Sequence, residues 1–141
     1  IYGAFMAGTH AALSAPTWPG INGVYIPAGM IANGNLWYNM YSDPITIQFI
    51  HRGLAYLIGI VTIIWFVQCG KVLRDTWLYK MRWVPLLLIA VQITLGILAL
   101  INSMFKTAIY YSVIHQFTGM LLLISLVVTF YFSKRKGSYL H

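Results

Sequence analysis

The chain has 141 residues, of which 60% are hydrophobic and only 8% are charged. A soluble domain normally has about a quarter charged residues, so this composition excludes an ordinary water-soluble globule. The net charge of +7 does not indicate a nucleic-acid partner, because the basic residues cluster beside long apolar runs and therefore suit the surface of a lipid bilayer. The single cysteine, Cys69, cannot form an internal disulfide.

The first 44 residues precede the long apolar runs. Residues 1–12 begin with IYGAFMAG and lack the charged start of a signal peptide. We therefore expect residues 1–12 to be the end of a truncated transmembrane helix. Residues 13–44 are rich in Pro, Gly, Asn and aromatic side chains. This composition favours turns, so they are predicted to form an outer loop over the helix ends.

Three later segments are long enough to cross a bilayer, which takes about 20 residues. They are residues 45–69, 83–102 and 107–133. None of them shows the alternating pattern of a membrane-barrel strand. The sequence thus predicts an all-α integral membrane protein with three complete spans and the tail of a preceding one.

The positions of the basic residues predict how these spans are oriented. A loop at residues 70–82 and a tail at residues 134–141 share an excess of Lys and Arg, from Lys71, Arg74, Lys80, Arg82, Lys134, Arg135 and Lys136. The positive-inside rule places both segments in the cytoplasm. The short turn after the second span and the first 44 residues then lie outside.

Ionisable residues inside a span are costly and usually functional; here they are His51, Arg52 and His115. Both histidines are predicted about 9–12 Å below the outer ends of their helices, from the rise per residue, so their imidazoles can meet. With no acidic residue or cysteine nearby to complete a zinc site, the pair suits heme, whose iron accepts two axial imidazoles. Arg52 is the predicted partner of a heme propionate.

Other interpretations of these residues stay open. Each histidine could be a hydrogen-bonded packing residue or part of a proton path, and Arg52 could extend to the outer interface. His10 is expected to be a loop or interface residue and His141 to be inert. The glutamines at 48, 92 and 116 are expected to form hydrogen bonds between helices.

Several segments, taken in order, resemble the heme A synthase family. The outer part carries GAFMAGTHAAL and APTWPGINGVYIP, and the spans carry IQFIHRGLAYLIG, LLLIAVQITLGILALI and VIHQFTGMLLL. The resemblance implies half of a protein made of two four-helix bundles, each holding heme between two histidines. It maps His51 and His115 onto one such pair. It also implies an oxidoreductase that converts the substrate heme O into heme A by oxidising a methyl group to a formyl group, for use in respiratory oxidases.

One departure from the family indicates which half this chain resembles. The substrate half usually has a carboxylate three residues before its first ligand histidine, and this chain has Gln48 there. The resemblance therefore implies the C-terminal half, which holds heme b, with no catalytic residue of its own and with a missing N-terminal half or homologous subunit as partner. The external cysteine pair of some members is also absent from the sequence, which puts a disulfide-linked electron entry in doubt.

Two other functions are compatible with the sequence. The chain could be a bis-histidine membrane cytochrome b-type subunit that only passes electrons within a respiratory complex. It could also be a structural membrane subunit in which the histidines merely pack. The expected location is the bacterial inner membrane, or the mitochondrial inner membrane.

Overall fold

The computed structural model describes residues 1–28, 30, 35–72 and 77–137, and the side chains of Val72 and of residues 134–137 are outside this description. The described part of the chain includes seven α-helices with defined bounds. They are α1 (Tyr2–Gly8), α2 (Ala11–Ser14), α3 (Leu36–Ser42), α4 (Pro44–Val72), α5 (Trp77–Met81), α6 (Trp83–Ile101) and α7 (Ala108–Gly137). Arg74, which was predicted to contribute to the basic loop, and His141, which was expected to be inert, lie outside the described residues.

Three stretches of helix are long and apolar enough to cross a membrane: Pro44–Lys71, Trp77–Ile101 and Ala108–Ser133. The first is α4, the second combines α5 and α6, and the third is most of α7. Their side chains are largely exposed, for example 56% at Leu57 and 62% at Leu123, as expected for helices that face lipid. The prediction of an all-α membrane protein with three spans is confirmed.

The first span begins at a well-formed helix start. Pro44 opens α4, where its missing N–H costs nothing and its fixed φ suits the first turn. The carboxylate of Asp43 accepts hydrogen bonds from the backbone N–H and the hydroxyl of Thr46, at 2.7 and 2.6 Å. A side-chain acceptor at this position stabilises a helix by about 1 kcal/mol, so Asp43 sets where the span begins.

The described residues before Pro44, called the outer segment here, lie against the beginning of α4. Helices α1, α2 and α3 all contact α4, and Ala11, Ala15 and Ile47 are fully buried between them. The composition of residues 13–44 predicted turns, but the structure also has the two-turn helix α3 within this range. Asn35 caps it by accepting from the backbone N–H of Tyr38 at 3.2 Å. This polar cap offsets the weak helix preference of the segment.

The three spans do not pack equally against one another. Helix α7 packs along α6, and α4 also packs against α6, whereas α4 and α7 approach each other closely at very few positions. A gap therefore separates α4 from α7 on one side of α6. This gap is where the candidate site lies.

At the other end of α4, Arg82 is almost completely buried. Its guanidinium lies 4.3 Å from the ring centroid of Phe66 and 4.0 Å from that of Tyr79. It also donates to the carbonyl of Phe66 at 3.2 Å, and a Cβ at Gly70 would overlap it. Arg82 thus joins α4 to α6 by stacking, which suits a planar guanidinium, rather than lying in the loop as a free charge.

Candidate functional site

The imidazoles of His51 and His115 face each other across the gap between α4 and α7. Their ring centroids are 6.3 Å apart and their planes are inclined at 69°. Each ring is only partly exposed. The structure therefore brings together the two histidines that were expected at equal depth, although the rest of α4, all of α6 and the first turns of α7 separate them in the chain.

The spacing of the two imidazoles fits one metal ion between them. A nitrogen–metal distance of about 2 Å at each ring places two ring centroids about 6 Å apart. Among the described residues, no group of three or more His, Cys, Asp or Glu side chains could hold a metal ion. A metal with four ligands of its own, such as heme iron, needs only two axial imidazoles, so the residues present fit heme.

Both ring nitrogens of His115 contact Gln92 on α6. The Nδ1 atom lies 3.0 Å from the backbone carbonyl oxygen of Gln92, and the Nε2 atom lies 3.2 Å from the side-chain amide nitrogen. A carbonyl oxygen can only accept, so Nδ1 carries the proton and donates. In a neutral imidazole Nε2 then has the free lone pair, which here accepts from the amide and is the atom able to bind a metal.

Two glycines allow this close contact between α6 and α7. A Cβ at Gly96 would lie 3.0 Å from Cε1 of His115, and a Cβ at Gly119 would lie 3.0 Å from the amide nitrogen of Gln92. Both distances are shorter than ordinary side-chain contacts. Gly119, one turn after His115, makes room for the Gln92 side chain.

The guanidinium of Arg52 binds the outer segment. Its Nη1 donates to the carbonyls of Pro19 and Gly20, both at 3.1 Å, and its Nη2 donates to the carbonyl of Thr17 at 2.7 Å and to the side-chain oxygen of Gln48 at 3.1 Å. Its Nε is buried with no partner among the described residues. The sequence did not predict this role, because nothing in the local pattern shows which loop carbonyls lie near Arg52.

Gln48 completes the contact with the outer segment. Its amide nitrogen donates to the carbonyls of Ala11 and Ala15, both at 3.2 Å, and its side chain is fully buried. Its expected hydrogen bonding is thus directed to the outer segment rather than to another span. His10 is exposed at the start of α2, in agreement with a loop residue.

The comparisons with known proteins extend over almost the whole chain. The model of the cytochrome oxidase assembly protein family, COX15-CtaA, matches residues 1–127. The chain belongs to this family. The matched residues include the first two spans, most of the third span and both histidines.

Curated relatives of the chain are named heme A synthase. The protein from Bartonella henselae is 32% identical over 138 residues, which are 98% of this chain and 37% of the relative. The protein from Bartonella quintana is 35% identical, over 90% of this chain and 35% of the relative. The protein from Brucella anthropi is 30% identical, over 97% of this chain and 37% of the relative.

The chain spans a little over a third of the length of these curated relatives. No solved structure matches the chain significantly. The three apolar helices and the family together identify an integral membrane protein.

Proposed function

We propose that this chain is a heme-binding part of a heme A synthase and that it holds a b-type heme between His51 and His115. The observation that carries the proposal is the facing pair of imidazoles, 6.3 Å apart, on two spans that otherwise barely touch. The relatives named heme A synthase support the wider enzymatic assignment. Arg52 is the proposed partner of a propionate.

The roles of the protein groups follow from their chemistry. His51 and His115 would together hold the heme iron, and the bound heme would supply electron transfer rather than substrate oxidation. His115 would bind through Nε2, while its Nδ1–H is held by the carbonyl of Gln92. Such an outer hydrogen bond fixes the orientation of a ligand histidine. The buried Nε of Arg52, which has no partner among the described residues, leaves one donor for a carboxylate.

The complete enzyme is proposed to oxidise a methyl group of heme O to the formyl group of heme A, and this chain is proposed to supply no catalytic residue. The only acidic residues in the sequence are Asp43 and Asp75, and Asp43 caps α4. Gln48 occupies the position where the substrate half of the family has a carboxylate, and it binds the outer segment instead. These features favour the heme b half.

The complete enzyme would then combine this chain with a second heme-binding half, either in one polypeptide or as a homologous subunit. The bacterial relatives favour the bacterial inner membrane as its location, and the family description favours a role in the assembly of respiratory oxidases. A cytochrome b-type electron carrier without its own catalytic step would share the histidine pair. A preceding or partner half with a catalytic carboxylate distinguishes the synthase from that alternative.

The proposed heme site is tested by a reduced-minus-oxidised spectrum and pyridine hemochrome analysis. The measurements compare the wild type with His51→Ala and His115→Ala, and use His10→Ala as a control because His10 is exposed and outside the site. We expect about one heme b per chain, and loss of the low-spin signature in either site variant only, because each imidazole supplies one axial ligand.

A colourless wild type after expression with ample heme would refute the heme site. Retention of the low-spin spectrum in both site variants would show that other residues bind the iron.

A further inference from the structure

Gln92 contacts both ring nitrogens of His115, and the two contacts differ in chemistry. The carbonyl contact at 3.0 Å uses Nδ1, which a metal bound at Nε2 leaves free. The amide contact at 3.2 Å uses Nε2 itself. We propose that Gln92 is a positioning residue with two functions: its backbone carbonyl fixes His115 for iron binding, and its side-chain amide occupies the iron-binding nitrogen until heme enters. This inference rests on the proposed function.

The surroundings of the Gln92 side chain indicate that its amide contact with Nε2 of His115 is easily broken. Its amide oxygen is buried and has no hydrogen-bond partner among the described residues. A side chain with only one of its polar atoms satisfied is held less firmly than a fully paired one. The amide can therefore leave Nε2 without losing a second hydrogen bond, whereas the backbone carbonyl cannot move away without displacing α6.

The absence of a side chain at Gly119 leaves space for the side-chain amide of Gln92. A Cβ there would lie 3.0 Å from the amide nitrogen, so a larger residue would push the amide along the gap. Gly96 similarly allows the ring of His115 to approach α6, since a Cβ at 96 would lie 3.0 Å from Cε1. Two glycines on adjacent helices thus favour the arrangement in which Gln92 covers the free lone pair of His115.

The first test measures hemin binding to the heme-free 141-residue chain in lipid nanodiscs. Gln92→Met keeps the length of the side chain and the backbone carbonyl but removes the amide. A hydrogen bond of this kind contributes about 0.5–1.5 kcal/mol, so we expect hemin to bind two- to tenfold more tightly to this variant, with the low-spin spectrum retained. The matched control is Gln68→Met, since Gln68 is exposed near the other end of α4. Unchanged or weaker hemin binding by a folded Gln92→Met variant would overturn the proposal that the Gln92 amide occupies Nε2 of His115 until heme enters.

The second test needs no heme. Nitrogen-15 NMR of the heme-free wild type, labelled at histidine and assigned with His115→Ala, reports which ring nitrogen carries the proton. We expect His115 to be protonated at Nδ1 and unprotonated at Nε2, as the carbonyl contact requires. Protonation at Nε2 would overturn the proposed orientation of His115. If the wild type binds no hemin at all, the proposed function itself fails, and the NMR result still decides whether Gln92 orients the ring.

Discussion

At the scale of single residues, the site depends on the small distance between α6 and the ring of His115. The close contact involves Gly96, whose missing Cβ would lie 3.0 Å from the ring. The contact also places Nδ1 of His115 3.0 Å from the backbone carbonyl of Gln92, which fixes the orientation of the ring. Gly96 thus controls the position of His115, a proposed iron ligand, without lying in the proposed ligand set.

Gly96→Ala is expected to weaken hemin binding about tenfold, or ~1.4 kcal/mol, because the new methyl group forces the ring of His115 away from α6. Gly3→Ala is the control, since a Cβ at that helical position meets nothing within 4 Å. Hemin titration in nanodiscs, followed by absorbance, measures the effect. Equal affinity of Gly96→Ala and the control would show that this contact does not position the ligand.

At the scale of elements, two polar side chains of α4 bind the outer segment. Gln48 binds the carbonyls of Ala11 and Ala15, and Arg52 binds three further carbonyls in residues 17–20. Both side chains come from the first three turns of α4, directly next to His51. The outer segment is therefore attached to the same helix turns that carry a proposed iron ligand.

Gln48→Met is expected to loosen the outer segment, because it removes the amide that donates to the buried carbonyls of Ala11 and Ala15, two hydrogen bonds that together contribute about 1–3 kcal/mol. Backbone amides of residues 11–24 should then exchange with deuterium roughly 5- to 100-fold faster, as measured by mass spectrometry. Gln48 is a cleaner test than Arg52, whose variants would also affect the proposed propionate contact.

Gln68→Met serves as the control for that exchange experiment, because Gln68 is exposed and far along α4 from the outer segment. Unchanged exchange in residues 11–24 of Gln48→Met would show that apolar packing around Ala11, Ala15 and Ile47 holds the segment by itself.

At the scale of the whole molecule, the distribution of charge predicts the orientation in the membrane. Lys71 and Lys80 are exposed at one end of the spans, and the turn between α6 and α7 lies at the other, with Met104 69% exposed. Arg82 is not exposed at this end, because it is buried against Phe66 and Tyr79. The remaining basic residues still favour a cytoplasmic location for the first end.

This orientation predicts different labelling of two engineered cysteines in a Cys69→Ala background. Met104→Cys should react with a membrane-impermeant maleimide on intact spheroplasts, whereas Lys80→Cys should react only after permeabilisation. Each variant is the control for the other. The reverse pattern would place the outer segment in the cytoplasm. The two histidines would then lie nearer the cytoplasmic side of the bilayer.

The sequence by itself determined that the chain is a membrane protein with three spans. It also singled out His51 and His115 as the histidines within those spans. Long apolar runs can be stable only as lipid-exposed helices, and an imidazole within such a run is costly enough to indicate a function. The common depth of His51 and His115 also followed from the sequence, because the rise of a helix is constant. These properties depend on composition and on distance along one helix.

Only the tertiary structure decided what lies beside each of those residues. The contacts of Gln92 with His115, of Arg52 with residues 17–20 and of Arg82 with Phe66 join side chains to groups on other elements. Such contacts depend on how closely two helices approach and how each is rotated, which glycines and side-chain shapes determine together. A linear pattern fixes the depth of a side chain in the membrane, but its partner is fixed only when the helices pack.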